Sequence, residues 1–443
     1  MHELTIIGGG LAGCEAAWQA ARHGIPVVLY EMRPARMTEA HQTGDLAELV
    51  CSNSLRSRDL STGPGLLKEE LRRAGSLIME AAAATEVPAG SAHAVDRVLF
   101  SRHIADRLSS FSSIRLVRTE ITELPERGLT IIASGPLTSH PLASAIGEII
   151  GGEHLYFYDA IAPIIDAESI DLSIAFAASR YGKGSDDYIN CPMTKEEYNC
   201  FYDALIEADT VTAREFERAQ FFEGCMPIEV MARRGRDTLC FGPLKPVGLV
   251  DPRTGKRPYA VVQLRTENRQ KSAYNMVGFQ TRLRWPSQKH VFHLIPGLKN
   301  AEFLRFGSIH RNTFINAPLH LNNDLSLKEN DSLLFAGQIT GVEGYIEATA
   351  MGLLAGINAS RRLLGLPFIA APHQTAHGAL VRYITESEPK HFQPSNINFG
   401  LLPAVDSILH IRDKKQRRFL MAEAALAEWS RFSEQIQQGR TVQ

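Results

Sequence analysis

The stretch MHELTIIGGGLAGCEAAWQAARHGIPVVLYE, residues 1–31, decides the fold. Glu3 to Ile7 reads as a short apolar strand, the turn GGGLAG at 8–13 follows at once, and Leu11 to His23 is an alanine-rich helix stopped by Gly24. Gly8 permits a tight turn, Gly10 lets backbone approach a pyrophosphate, and Gly13 allows the helix to pack closely. The helix start, with Gly9, Leu11 and Ala12, is then aimed at phosphates. A second strand, Ile25 to Tyr30, ends in Glu31, eighteen residues beyond Gly13, where a carboxylate can accept the ribose hydroxyls of an adenosine. A glycine triplet alone would be weak. Strand, turn, helix, strand and acid in this order predict a Rossmann-type α/β dinucleotide site.

Two later segments choose the dinucleotide. SLLFAGQITGVEGYIEATAMGLLAG at 332–356 reads as a buried strand, a turn bent at Gly337 and an Ala/Gly-rich helix. It resembles the late segment by which flavoproteins with two dinucleotide-binding domains close over the ribityl chain and pyrimidine edge of the flavin. LTIIASGPLTS at 129–139 resembles the strand on which such chains leave the nucleotide domain. Three signatures in this order favour FAD over NAD. The expected fold is α/β, a glutathione-reductase-like FAD-binding domain in two parts, 1–150 and 296–370. An α+β substrate or RNA-binding domain is inserted at 151–295, where the pattern turns strand-like (YFYDAIAPIID), and a C-terminal helical portion fills 371–443. Pro367 to Pro372 reads as a linker, Asp413 to Gln438 as an amphipathic helix, and GLLKEELRRAGSLIMEAAAA (65–84) as one helix with Leu67, Leu71, Leu77 and Ile78 near one stripe.

At 443 residues the chain exceeds the size at which one hydrophobic core stops growing, so several domains are expected. With 44% hydrophobic and 22% charged residues it resembles soluble globular proteins, and no apolar run approaches the roughly 18 residues of a membrane span. No basic leader precedes an apolar stretch at the start, so a cytoplasmic protein with no membrane association is expected. The cysteines at 14, 51, 191, 200, 225 and 240 form no CxxC pair, which fits reduced thiols. The histidines include no HExxH and no paired Cys/His spacing, and no metal site is expected.

Net charge is only −2 but unevenly spread: Arg233 to Arg311 holds sixteen Lys/Arg against four acids, which leaves the remainder about −14. This region suits an anion, although a solvated basic face is the plain alternative. Arg253, Lys256 and Arg257 in DPRTGKRPY look like a turn presenting cations to phosphates, contacts that would fix register on RNA without reading sequence. The KKQRR run near the C-terminus reads as a solvated face.

Cys51 lies in AELVCSNSLRS and Cys225 in FFEGCMPIEVMARRG, polar and glycine-bearing surroundings, whereas Cys14 and Cys240 read as small buried hydrophobes and Cys191 and Cys200 carry no signal. Together with GGGLAGCEAA, LYEMRP, VPAGSAHAVDR, DYINCPMTKEEY, LKPVGLVDPRTGKRPYAVVQLR, HRNTFINAP and GVEGYIEATAMGLLAG, these segments resemble the folate- and FAD-dependent tRNA (uracil-5-)-methyltransferase family, from residue 1 to about 405. The resemblance implies methylation of uridine 54 in the T-loop of tRNA, with 5,10-methylenetetrahydrofolate as carbon donor and flavin reduced by NAD(P)H. It implies tRNA and folate as partners and no stable protein partner.

The chemistry asks for these parts independently. A folate methylene must gain two electrons to become a methyl group, and a reduced flavin can deliver them as hydride. Uracil C5 is a poor nucleophile until something adds at C6, which suits a thiolate, and a base must later remove the C5 proton. Cys225 is expected to attack C6 and Cys51 to act on the flavin side. His310 and Arg311 in HRNTF and Tyr345 in GVEGYIE are candidates to contact folate or flavin, with packing the alternative reading. A uridine inside a folded loop would have to be swung out. Other readings are the related flavoprotein that modifies wobble uridine, which carries a long helical C-terminal extension that this chain lacks, a relative methylating ribosomal RNA, and a non-catalytic flavin-containing RNA-binding protein.

Overall fold

A computed structural model describes residues 3–151, 155–182, 186–211, 226–403, 408 and 411–437, with 155–158 and 437 as backbone alone. The strand Leu4–Ile7 is the centre of a five-stranded parallel sheet ordered Leu333–Phe335, Leu129–Ile132, Leu4–Ile7, Val27–Tyr30, Ile114–Val117. The three central strands read LTII, VVLY and LTII because helices cover both faces, so no polar alternation is required. The helices Leu11–Arg22 and Tyr345–Leu363 cross in backbone contact. A Cβ on Gly352 would stand 2.3 Å from the Ala12 carbonyl oxygen, and one on Gly356 2.6 Å from that of Ala16. Small residues on both helices thereby lock the late glycine segment against the first.

The single helix expected at 65–84 is two, Gly63–Arg73 and Leu77–Ala84. Gly75 turns the chain at φ +73°, and the Ser76 hydroxyl caps the second helix by accepting the Met79 N–H at 3.3 Å. Leu67, Leu71, Leu77 and Ile78 are nonetheless all fully buried, because both helices present their apolar faces to one core.

A second, antiparallel sheet runs Phe176–Ala177, Tyr188–Met193, Ala260–Thr266, Ala273–Met276, Ile164–Asp166, Phe303–Arg305. Its last strand lies beyond the expected junction at 295. The sheet has its own core, centred on Phe201, Phe279 and Phe292. Its helix Lys195–Glu207 starts on a capping box in which Thr194 and Glu197 exchange side-chain and backbone bonds. Between the sheets, Leu155–Ile161 and Ser308–Phe314 pair antiparallel and carry the chain out and back, with Asp159 opposite His310.

The C-terminal helices Ala376–Glu386 and Lys414–Gln437 dock on Gly63–Arg73 around Glu70. Its buried carboxylate accepts the Ala376 and His377 N–H groups at 2.7 and 3.0 Å and pairs with His377 Nδ1 at 2.7 Å. Trp429 stacks on His377 and donates to the Glu70 carbonyl at 2.6 Å. No described helix is long and apolar enough to cross a membrane.

Candidate functional site: a glycine-lined cleft and the polar cavity beside it

The ends of the parallel strands open into a cleft lined among others by Gly8, Gly10, Leu11, Ala12, Glu31 and Gly337, the place where a dinucleotide binds in such sheets. The glycines divide as their positions require. Gly8 has φ +109° and would press a Cβ to 2.5 Å from the Ala133 carbonyl oxygen, and a Cβ on Gly13 would stand 1.8 Å from the Gly8 oxygen. Gly337, at φ +84°, faces Ala12. Gly10 differs, because no protein atom lies within 4 Å of where its Cβ would be. The protein itself does not forbid a side chain there, so the open space at the helix start fits a bound group that needs close backbone approach. Gly9 and Gly13 are not on the cleft wall: Gly9 donates its N–H to Glu31 Oε2 at 3.0 Å, and Gly13 serves helix packing.

Glu31 borders the cleft but is largely occupied by protein. Oε1 accepts the Arg33 N–H and Nε, both at 2.9 Å, and Oε2 accepts Arg33 Nη2 at 3.2 Å. Burial alone would raise its pKa, but the hydrogen bonds and charge of Arg33 outweigh it and hold Glu31 below the ordinary carboxylate range. The carboxylate is therefore fixed and ionised at the end of the second strand.

A second cavity shares Val50, Pro136, Leu137, Gln338 and Tyr345 with the cleft. Cys51 stands in its wall, half-buried. The Tyr345 hydroxyl, at the start of its helix, accepts the N–H groups of Cys51 and Ser52 at 2.8 and 3.2 Å, so the late glycine segment grips the cysteine loop. Burial, and then the proximity of Cys51, raise the Tyr345 phenol above its ordinary value, and it keeps its proton. Three arginines hold the same loop: Arg97 donates to the Leu49 carbonyl, Arg305 to that of Val50 at 3.0 Å, and Arg265 to Ser52 Oγ at 2.7 Å and Asn53 Oδ1 at 3.0 Å. Positive charge thus surrounds the cysteine, the setting in which reactive thiols occur. Cys225 lies outside the described residues.

His310 and Arg311 separate. On a strand, neighbours point to opposite faces, and His310 lines the cavity while Arg311 is exposed and lines neither space. The sequence reading named both as candidates, and the period-2 alternation of HRNTF is the signal that separates them. Burial, then Arg305, lower the His310 pKa to about 4, so the ring is neutral at pH 7. Asp159, Asn312 and Glu343 also line the cavity and were not singled out from the sequence. Asn312 stands two residues from His310, the one signal that it shares that face.

Arg253, Lys256 and Arg257 are exposed on a turn closed by the Asp251–Lys256 bridge. Arg253 is already paired: its Nη2 meets Asp251 Oδ2 at 2.7 Å. Other cations of the basic stretch are likewise engaged, Arg282 with Glu229, Arg236 with Asp203, and Arg265 and Arg305 on the cysteine loop. Of the two cysteines read as buried hydrophobes, Cys14 is fully buried and Cys240 only half-buried. Among the described residues no cluster of His, Cys, Asp and Glu could hold a metal ion.

A parallel dinucleotide-binding sheet split by an antiparallel insertion, with a late glycine segment closing on the first helix, is the fold of the FAD-dependent Rossmann-type flavoproteins. The structure of GidA from Aquifex aeolicus superposes with a TM-score of 0.71 at 15% identity, covering all of this chain and 74% of that one. Residues 3–367 match the family model Glucose inhibited division protein A. The chain is 56% identical to a protein of Pelotomaculum thermopropionicum over 98% of its own length and 99% of the relative's, and 59% identical to one of Geobacter sulfurreducens over 96% and 97%. Both are named methylenetetrahydrofolate–tRNA-(uracil-5-)-methyltransferase TrmFO. The chain belongs to this family of methyltransferases.

Proposed function

We propose that this enzyme forms 5-methyluridine at uridine 54 in the T-loop of tRNA, with the carbon taken from 5,10-methylenetetrahydrofolate and the electrons from FAD reduced by NAD(P)H. The observation that carries the reading is the shared wall: a cleft built for a dinucleotide and a polar cavity holding Cys51 meet at Gln338 and Tyr345. When bound, FAD supplies the two electrons that turn a folate methylene into a methyl group.

The protein's own groups do the rest. Gly10 and the start of the helix Leu11–Arg22 receive the pyrophosphate, and Glu31, fixed by Gly9 and Arg33, faces the adenosine ribose. Tyr345 positions Cys51 through its backbone, while Arg97, Arg265 and Arg305 hold the loop that carries it. Cys225 is assigned the attack on uracil C6, and Cys51 the work beside the flavin, including removal of the C5 proton. The exposed turn with Lys256 and Arg257 meets RNA phosphates.

The test is transfer of labelled methylene from folate to a tRNA transcript, with and without NADPH, and to a transcript in which uridine 54 is replaced by cytidine. Label is expected only in the first transcript and only with reductant. Label in the uridine 54 variant would overturn the position, and label without reductant would overturn the electron source.

A further inference from the structure

A column of aromatic rings runs from the core of the antiparallel sheet out to solvent. Trp285, the first residue of the helix Trp285–Phe292, stacks on Phe306 with ring centres 5.6 Å apart and planes inclined by 17°. Phe306 stacks in turn on Phe303 at 5.1 Å and 19°, and Phe303 meets Phe292 in the core. The outer end is open: Trp285 is 63% exposed although Phe306 covers one of its faces. Gln288, fully buried, makes the column rigid. Its Nε2 donates to the Leu283 and Gly307 carbonyls at 2.7 and 2.9 Å and its Oε1 accepts the Gly307 N–H at 2.8 Å, which ties the helix to the chain after Phe306. A flat, fixed and uncovered indole face is a surface for another flat ring.

Charge and position narrow the ring. A hollow beside the column is lined by Lys289, Lys299 and Glu302, and Arg284 directly precedes the indole. Arg236, Arg253 and Arg282 of the same basic stretch are ion-paired, whereas Arg284, Lys289 and Lys299 are exposed and form no ion pair among the described residues. Cations around an open aromatic face suit a base flanked by phosphates, the combination by which single-stranded nucleic acid is held. The column also stands close to the chemistry. Gln280 lines the cavity that holds Cys51, and five residues of chain cannot carry Trp285 more than about 18 Å from it. From the other side, Arg305, next to Phe306, donates to the carbonyl of Val50, one residue before Cys51, at 3.0 Å. We propose that Trp285 is a stacking platform for an unpaired base of the tRNA loop other than the target uridine, which holds the loop beside the cavity while the target base is swung out. The proposal rests on the reading of tRNA as substrate and assigns a residue that tells a loop from a paired stem.

The experiment measures binding of the FAD-loaded protein to three kinds of RNA: a synthetic stem-loop carrying the target uridine, a fully paired duplex of the same stem, and stem-loops in which one loop base at a time is replaced by an abasic nucleotide. FAD content and thermal midpoint are followed in each variant and should not change, since the indole is exposed. Trp285→Ala is expected to weaken stem-loop binding about tenfold, the scale of one lost base stack, with an unchanged slope against salt. Trp285→Phe should restore most of it, and duplex binding should change less than about twofold in either variant. One abasic position other than the target should cost the unsubstituted protein a similar factor and Trp285→Ala less than about twofold, because both changes remove the same contact. Undiminished stem-loop affinity in Trp285→Ala, an equal loss for the duplex, or losses that multiply at every abasic position would overturn the platform and leave tRNA methylation intact. Self-association or binding to anionic lipid vesicles that disappears in Trp285→Ala while stem-loop affinity is kept would likewise overturn it, in favour of a second copy or a membrane. Failure of the unsubstituted protein to bind either the stem-loop or a full tRNA transcript would overturn the reading of tRNA as substrate as well.

Discussion

The cleft and the cavity share Tyr345 and Gln338 yet are made of different material. The cleft takes Gly8, Gly10, Leu11 and Ala12 from one continuous segment, and at Gly8, Gly10 and Gly337 it depends on where side chains are missing. The cavity is built of side chains from residues 51, 159, 310, 312 and 343, which no local segment brings together. The first should tolerate change anywhere except at a few glycines. The second should fail selectively, one function at a time.

The largest effect expected is loss of chemistry without loss of binding. A tRNA carrying 5-fluorouridine at the target should be trapped covalently, since fluorine cannot leave as a proton, and Cys225→Ala should abolish that adduct on a denaturing gel. Cys51→Ala should stop methylation while FAD and tRNA still bind. An adduct that survives in Cys225→Ala and vanishes in Cys51→Ala would exchange the two roles, and full methylation by both variants would end the thiol mechanism. Lost packing is worth on the order of 1 kcal/mol for a buried cysteine, so thermal midpoints near wild type separate chemistry from stability.

Next come the glycines, where the cleft can be broken in two ways. Gly10→Val has room within the protein, so the chain should fold but come out colourless, its side chain filling the pyrophosphate space. Gly13→Val meets the Gly8 oxygen and should not fold at all. A yellow Gly10→Val protein with full FAD would mean that the cofactor lies elsewhere.

One histidine in each region gives a smaller, pH-dependent effect. His310 in the cavity is lowered to about 4 by burial and then Arg305, and His41 in the cleft wall to about 3 by burial and then Arg33. Both are neutral in the fold. Below pH 6.5 the unfolded chain binds protons that the folded chain does not, so their stabilisation is complete above that pH and is lost as pH falls towards 4. For His310 the slope is about 1.4 kcal/mol per pH unit, and half-buried His41 contributes less through solvent screening. Urea unfolding between pH 7 and 5 should show this decline, and His310→Gln should flatten it. An unchanged slope in that variant would show that His310 does not titrate there.

The smallest effect is on RNA affinity. Reversing Arg253, Lys256 and Arg257 should lower the salt dependence of tRNA binding by about two units rather than three, because Arg253 is already neutralised by Asp251. FAD content should stay constant. An unaltered slope would show that the turn faces away from RNA.

The nucleotide fold was legible because its signals are local. Strand, glycine turn and helix follow one another within 31 residues, and Gly13 answers to Gly8 five positions away. The break at Gly75–Ser76 was legible in principle, since glycine followed by a serine cap is a stop and a start, but the continuous apolar stripe concealed it. His310 and Arg311 stand on opposite faces of their strand, because proximity in sequence is opposition across a strand.

By itself the sequence determined the parallel sheet, the dinucleotide turn and the candidacy of Cys51, since these depend on backbone freedom and on the chemistry of single residues. Only the tertiary structure decided that Arg97, Arg265 and Arg305 converge on the cysteine loop, that much of the basic stretch is spent on internal partners, and that Asp159, Asn312 and Glu343 line one cavity. The reason is physical. Hydrogen bonds and charges act over a few ångströms in space, and the residues that meet here lie up to some 290 positions apart in the chain, as Tyr345 and Cys51 do.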